Sequence, residues 1–246
     1  MDTHPQTGNQ RLLWITDPHF EKAPQWIRDK IVQRLEARDH DMALITGDIA
    51  TATTLPTILP KLAEACGRRR LFVLLGNHDF KGADVRETLT TVDAICGRHL
   101  NLIHLTTSAP TRISDHTTLV GHHGLCGFAC RRNQDTVESS EKIRHGIFSA
   151  RRSGTGLLAA THYPPFFTSA RYNGRPCPAD KQHFFTNHDL GYMLIKMAKQ
   201  LRQQLSIRVF AGHTHHACED AILPNLHCRV GRAGPGQTGV QGIVMV

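Results

Sequence analysis

Apolar residues fall along this chain in short unbroken runs that end in polar residues. The run Leu12-Leu13-Trp14-Ile15-Thr16 stops at Asp17, Met42-Ala43-Leu44-Ile45-Thr46 at Gly47-Asp48, and Leu71-Phe72-Val73-Leu74-Leu75 at Gly76-Asn77. Farther on, Gly156-Leu157-Leu158-Ala159-Ala160-Thr161 stops at His162, and Ile207-Arg208-Val209-Phe210-Ala211 at Gly212-His213. Short runs without alternation predict strands buried on both faces. Between them the pattern becomes helical. Residues 26–38 predict a helix with Trp26, Ile27, Ile31 and Leu35 on one side and Pro24 near its start. Residues 55–66 and 83–96 predict two more, closed by Gly67 and Gly97. Residues 134–152 predict a polar helix with a weak apolar face, and 190–205 another helix. Residues 100–105 and 111–121 predict strands of a second sheet, 163–186 a long loop holding four prolines, and the stretch from Cys218 short strands ending in Gly242-Ile243-Val244-Met245-Val246. Strand–helix alternation of this kind implies an α/β fold, with a parallel or mixed sheet covered by helices. In such sheets ligands sit beyond the carboxyl ends of the strands, where this chain places its polar residues.

Composition adds limits. The 246 residues show no repeat or linker, so the expectation is a polar tail over 1–10 and a single domain over 11–246. Hydrophobic residues make up 40% but aromatics only 6%, which predicts a largely aliphatic core. The net charge of +8 either favours anionic substrates or is ordinary solubility charge. Its basic runs, Arg68-Arg69-Arg70, Arg131-Arg132 and Arg151-Arg152, are short and lack interleaved aromatics, which argues against a nucleic-acid groove. The first ten residues carry no apolar leader segment, and no run approaches the ~18 apolar residues of a membrane span. Seven cysteines in irregular spacing then predict free thiols and a cytoplasmic setting. Cys126 and Cys130 lie close together, but no second pair follows at zinc-site spacing.

The 17 histidines matter by position. Five strand ends carry metal-ligand residue types: Asp17-Pro18-His19, Gly47-Asp48, Gly76-Asn77-His78-Asp79, Thr161-His162 and Gly212-His213-Thr214-His215. Two residues apart at a strand end, Asp17 and His19 can bend over one point, as can His213 and His215. Glycine before Asp48, Asn77 and His213 lets the backbone turn sharply and come close to a ligand. Carboxylate, amide and imidazole donors together suit divalent transition ions.

In this order and spacing the motifs resemble those of the calcineurin-like metallophosphoesterase superfamily, from Asp17 to His215. The resemblance implies two mixed β-sheets packed as a sandwich flanked by helices (α/β/β/α). It implies two divalent metal ions, one on Asp17, His19, Asp48 and His215, the other on Asp48, Asn77, His162 and His213, with Asp48 bridging. Cations ~3.5–4 Å apart would clamp an in-line displacement at phosphorus by a bridging hydroxide. Mn²⁺ stands first among the ions that fit, with Fe, Zn²⁺ and Ni²⁺ also compatible. The resemblance further assigns His78 a catalytic role beside the metals and Asp79 the role of its carboxylate support; for His78 a purely structural place is the alternative.

The departures narrow the substrate class. Ile49-Ala50-Thr51 follow Gly47-Asp48 without the aspartate and arginine of the serine/threonine protein phosphatases. His162-Tyr163-Pro164-Pro165 is more similar to small bacterial phosphodiesterases. The expected activity is hydrolysis of a phosphodiester or phosphomonoester of a small molecule or nucleotide. The alternatives are a nuclease, a phospholipid-type hydrolase and a non-catalytic metal-binding scaffold. His122 and His123 could line the pocket or serve the structure, His104 is expected to pack in a strand, and Arg171, Asn173, Arg175 and Lys181 on the long loop could grip phosphate or be ordinary surface charge. Oligomeric state is not legible.

Overall fold

The computed structural model describes residues 8–123, 134–201 and 204–246. Cys126, Cys130, the Arg131-Arg132 run and most of the polar tail lie outside the described residues. In chain order the strands are β1 (Arg11–Ile15), β2 (Met42–Thr46), β3 (Arg70–Leu74), β4 (Leu102–His104), β5 (Thr111–Arg112), β6 (Thr117–His122), β7 (Gly156–Thr161), β8 (Arg171–Tyr172), β9 (Arg175–Pro176), β10 (Ile207–Ala211), β11 (Cys218–Leu223), β12 (Leu226–Val230) and β13 (Val240–Met245). The helices are α1 (Gln25–Glu36), α2 (Leu55–Cys66), α3 (Val85–Cys96), α4 (Gln134–Ser153), α5 (Gln182–Phe185) and α6 (His188–Leu201).

Two mixed sheets carry the fold, in the orders β13-β1-β2-β3-β4 and β11-β12-β10-β7-β6-β5. Strands β1 to β4 run parallel, as do β6, β7, β10 and β12; the antiparallel strands β13, β5 and β11 lie at the edges. Side chains alternate between two buried faces. Leu12, Trp14, Met42, Leu44, Phe72 and Leu74 of the first sheet meet Leu119, Leu158, Ala160 and Phe210 of the second in a central layer. Trp14 stacks on Phe210 there, with ring centres 4.5 Å apart. The alternate residues Leu13, Ile15, Ala43, Ile45, Leu71 and Val73 pack under α1, α2 and α3. Leu157, Ala159, Ile207 and Val209 pack under α4 and α6. The layers are therefore α/β/β/α, and burial on both faces is why the strands read as unbroken apolar runs.

Three expectations need correction. Residues 100–105 do not join the second sheet: β4 pairs parallel with β3 in the first. Helix α3 packs on that sheet, and such a crossover returns the chain beside the strand it left. Residues 111–121 form two strands, because the chain turns after Arg112 and β5 pairs antiparallel with β6. Trp26 is half exposed, since the buried stripe of α1 repeats every four residues through Ile27, Ile31 and Leu35; the Lys30 ammonium lies over its ring at 4.8 Å. No helix among the described residues is long and apolar enough to cross a membrane.

The carboxyl ends of the two sheets are tied together. Asp17 N–H donates to Gly47 O (3.1 Å), Gly212 N–H to His162 O (2.9 Å), and His213 N–H reaches from the second sheet to Asp17 Oδ1 in the first (3.0 Å).

Candidate metal centre

The strand ends take a strained route. Six non-glycine residues among those described have positive φ, and five of them are Asp17 (48°), His19 (43°), Asp48 (50°), His213 (68°) and His215 (58°). The sixth, Asn173 (49°), sits in the β8–β9 turn with Gly174, where Asn-Gly is at home. Left-handed conformation costs a residue with a Cβ on the order of 1–3 kcal/mol, and such strain gathers at functional sites. The surrounding ladder holds it: His19 N–H donates to Asp48 O (3.0 Å) and Phe20 N–H to Ile49 O (2.8 Å). Gly76 and Gly212 leave room for the ligand carboxylates. A Cβ on the first would run into Asp48 Oδ1 and the Asp48 backbone, and on the second into Thr16 Oγ1 and Asp17 Oδ2.

These turns gather the side chains. Asp17, His19, Asp48 and His215 bring their donor atoms within 4.8 Å of one another. His215 Nε2 lies 3.4 Å from Asp17 Oδ1 and 3.3 Å from His19 Nε2, which is 3.6 Å from Asp48 Oδ2. The other oxygen of Asp48 faces the second group: Oδ1 is 3.3 Å from His162 Nε2, which is 3.2 Å from Asn77 Oδ1. The His213 ring packs edge-on to His162 with centres 5.1 Å apart. Thus all seven residues adjoin, with the Asp48 carboxylate between the two groups.

The outer hydrogen bonds assign the imidazole protons. His162 Nδ1–H donates to Thr46 O (2.9 Å), His19 Nδ1–H to Glu21 Oε1 (3.3 Å) and His213 Nε2–H to Phe184 O (3.1 Å). His162 and His19 then turn Nε2 toward the neighbouring carboxylate and amide oxygens, so that without a proton or a cation there acceptor would face acceptor, and His213 keeps Nδ1 free. Acceptors facing acceptors in a buried site require positive charge, and this pairing of ligand nitrogen with outer acceptor is how proteins hold metal-binding imidazoles. The donor set fits divalent cations.

Charge tells the same story. Burial would raise Asp17 and Asp48, but the histidines around them hold both below the usual carboxylate range. Burial would lower His162; Asp48 and Asp17 lift it to about 9, and a cation would replace that proton. Burial and the neighbouring His162 pull His213 down to about 4.

His78 stands beside this centre, its ring edge-on to His19 with centres 4.6 Å apart. Its backbone N–H donates to Asp48 Oδ1 (2.8 Å). Asp79 does not face the His78 ring. It is fully buried and its two oxygens accept N–H from Ala50 and Gly76 (each 2.8 Å), clamping the turns after β2 and β3 together. Burial and the charge of Asp48 push its carboxyl up to about 8. The carboxylate near the His78 ring is Glu21, with Oε1 3.5 Å from Nδ1, and two ammonium groups flank the ring, Lys22 at 3.3 Å and Lys81 at 2.8 Å. Sequence reasoning passed over all three. The every-second-residue rule that pairs Asp17 with His19 extends to Glu21 and could have found it; nothing local marks Lys22 or Lys81.

The other candidates contact scaffold groups or lie on the surface. His123 is buried against Thr106 (3.2 Å), Phe80 and His104, and burial lowers His122 to about 4. His104 is packed as expected and also bonded to Asp93 (2.8 Å). Arg171 donates to the Thr168 and Ala170 carbonyls and Lys181 lies 3.9 Å over Tyr172, so both brace their own loop. That loop meets the site through Tyr163, whose ring lies 3.8 Å from that of His213, and through the Phe184 carbonyl. Asn173 and Arg175 are exposed.

A model of the calcineurin-like phosphoesterase family matches residues 10–217. A dimetal phosphatase from Danio rerio superposes with a TM-score of 0.63 at 11% identity, covering 96% of this chain and 91% of that one. TT1561 of Thermus thermophilus gives 0.61 at 12% identity, covering 97% and 99%. The 5′-nucleotidase of Candida albicans gives 0.52 at 12% identity; it covers 97% of this chain, which spans 48% of that protein. At such identities the likeness is one of fold. No curated protein matches the sequence.

Proposed function

This chain belongs to the calcineurin-like phosphoesterase family, and on that premise we propose that it is a two-metal phosphoesterase, a single domain from residue 11 onward, that hydrolyses a phosphodiester or phosphomonoester of a small molecule or nucleotide. The observation that carries this reading is the Asp48 carboxylate, buried between two groups of ligand-type side chains. Asp17, His19, Asp48 and His215 would hold one cation, and Asp48, Asn77, His162 and His213 the other. Two divalent cations supply Lewis-acid neutralisation of phosphoryl oxygens and make water more acidic. Mn²⁺ is proposed first, with Fe, Zn²⁺ or Ni²⁺ as fitting replacements.

The chain's own groups do the rest. His78 is within reach of the centre and is proposed to protonate or stabilise the leaving oxygen. Lys22 and Lys81 add positive charge at the same edge, which favours an anionic substrate over a neutral one. The Tyr163 ring packs against the His213 ring. Of the five described free thiols, Cys66, Cys177, Cys218 and Cys228 are buried and Cys96 is partly so, and a cytoplasmic setting is proposed.

The test is Asp48→Asn beside the parent protein, both reconstituted with Mn²⁺. The parent is expected to hold two metal equivalents and to cleave members of a panel of aryl phosphate mono- and diesters, cyclic nucleotides and single-stranded DNA. The variant should lose both metals and nearly all hydrolysis. Normal turnover with full metal content would sink the bridging role of Asp48.

A further inference from the structure

The carboxylate of Glu21 is poised to do a job that the motif residues leave undone. The turn after Gly47-Asp48 offers Ile49-Ala50-Thr51 and no carboxylate. Asp79 spends both oxygens on the backbone N–H groups of Ala50 and Gly76. Glu21 instead sets one oxygen, Oε1, 3.3 Å from His19 Nδ1 and 3.5 Å from His78 Nδ1. The two rings it joins lie edge to face, and its side chain is only 13% exposed. Its second oxygen is buried with no hydrogen-bond partner among the described residues, and the competing cation at Oε1, the exposed Lys22 ammonium, stands farther off at 3.8 Å. The bonding is defined at His19 and shared at His78. A His19 proton on Nδ1 leaves Nε2 as a ligand atom toward Asp48. At His78, Nε2 accepts from the Lys81 ammonium at 2.8 Å, while Nδ1 is met by Glu21 Oε1 at 3.5 Å and by the Lys22 and Lys81 ammonium groups at 3.3 and 3.2 Å.

We propose that Glu21 is the positioning carboxylate of this centre: through a single oxygen it fixes the ligand tautomer of His19 and orients His78. The inference rests on the two-metal reading of the site. It separates the roles of two acids that sequence motifs confuse, with Asp79 a clamp between backbone turns and Glu21 the partner of the imidazoles. Acceptors behind metal-bound histidines are worth about 10–100-fold in metal affinity or activity.

The test compares Glu21→Gln and Glu21→Asp with the parent protein, each also in a His78→Ala background. Mn²⁺ binding is measured by calorimetry and metal content by mass spectrometry. Initial rates are measured on aryl phosphates with leaving groups of graded acidity. Glu21→Gln is expected to bind Mn²⁺ about 10–100-fold more weakly at one site while still holding two equivalents at saturation. Its turnover should fall most on the poorest leaving groups, with Glu21→Asp recovering part of both losses. In the His78→Ala background the metal effect should persist and the leaving-group effect should vanish. Unchanged Mn²⁺ affinity in folded Glu21→Gln would overturn the proposal. So would loss of a whole metal equivalent, which would make Glu21 a ligand. If the parent cleaves none of the esters, the phosphoesterase reading fails, while the Mn²⁺ titration still decides for or against Glu21.

Discussion

At the residue scale the site is built from backbone that most side chains avoid. Asp17, His19, Asp48, His213 and His215 all sit at positive φ, and the ladder between neighbouring turns holds them there. A left-handed residue reverses the chain at the end of a strand, so that two side chains of one motif can meet at one point. His78 and Asp79 show how neighbours in sequence can part in role. His78→Ala is expected to keep both metals and slow turnover by roughly 10²–10⁴ if the imidazole serves the leaving oxygen; equal rates across leaving groups would remove it from the chemistry. Asp79→Ala should act on stability instead. It strands the N–H groups of Ala50 and Gly76 in a buried place, at about 1–3 kcal/mol for each group left unpaired. Urea unfolding with m unchanged would measure that loss.

At the scale of elements, the helices set the direction of the strands that bear the site. Helix α3 starts at a defined cap: Asp84 accepts from Arg86 N–H at 2.8 Å and Glu87 N–H at 3.4 Å. It then returns the chain so that β4 extends the first sheet. Asp84→Ala should cost roughly 1 kcal/mol, the usual worth of such a cap, and leave metal content untouched. Thermal unfolding beside a metal assay separates the two. Helix α2 keeps its span in spite of Pro60, because Leu55, Ile58, Leu59 and Leu62 are buried against the first sheet. Packing outweighs the missing N–H, which is why the apolar pattern of residues 55–66 was a better guide than the proline.

At the scale of the molecule, function depends on two sheets keeping their strand ends together. Trp14 on β1 and Phe210 on β10 stack in the central layer, a few residues from Asp17 and His213. Phe210→Ala should therefore cost about 3–5 kcal/mol through the cavity it leaves. It should also weaken metal binding although the side chain touches no ligand. A fall in stability with unaltered Mn²⁺ affinity would show that the strand ends are held by their own hydrogen bonds rather than by the core.

The α/β class and the positions of most elements were legible in the sequence, because each rests on a local pattern: a run buried on both faces, a helical stripe, a polar strand end; the α/β/β/α layering came from the family resemblance. The candidate ligands were legible for the same reason, as residue types clustered at those ends. Residues far apart in the chain needed the fold. Which sheet receives β4, how the chain splits between β5 and β6, and which way Trp26 faces all follow from long-range packing. The partner of His78 was settled in the same way. Glu21 reaches it because the turn after β1 is bonded to the turn after β2, whose Asp48 in turn accepts the His78 N–H. Asp79, though adjacent in sequence, is drawn away by two backbone N–H groups that burial leaves with no other acceptor. Local chemistry named the donors, and tertiary packing decided which acceptor stands behind each of them.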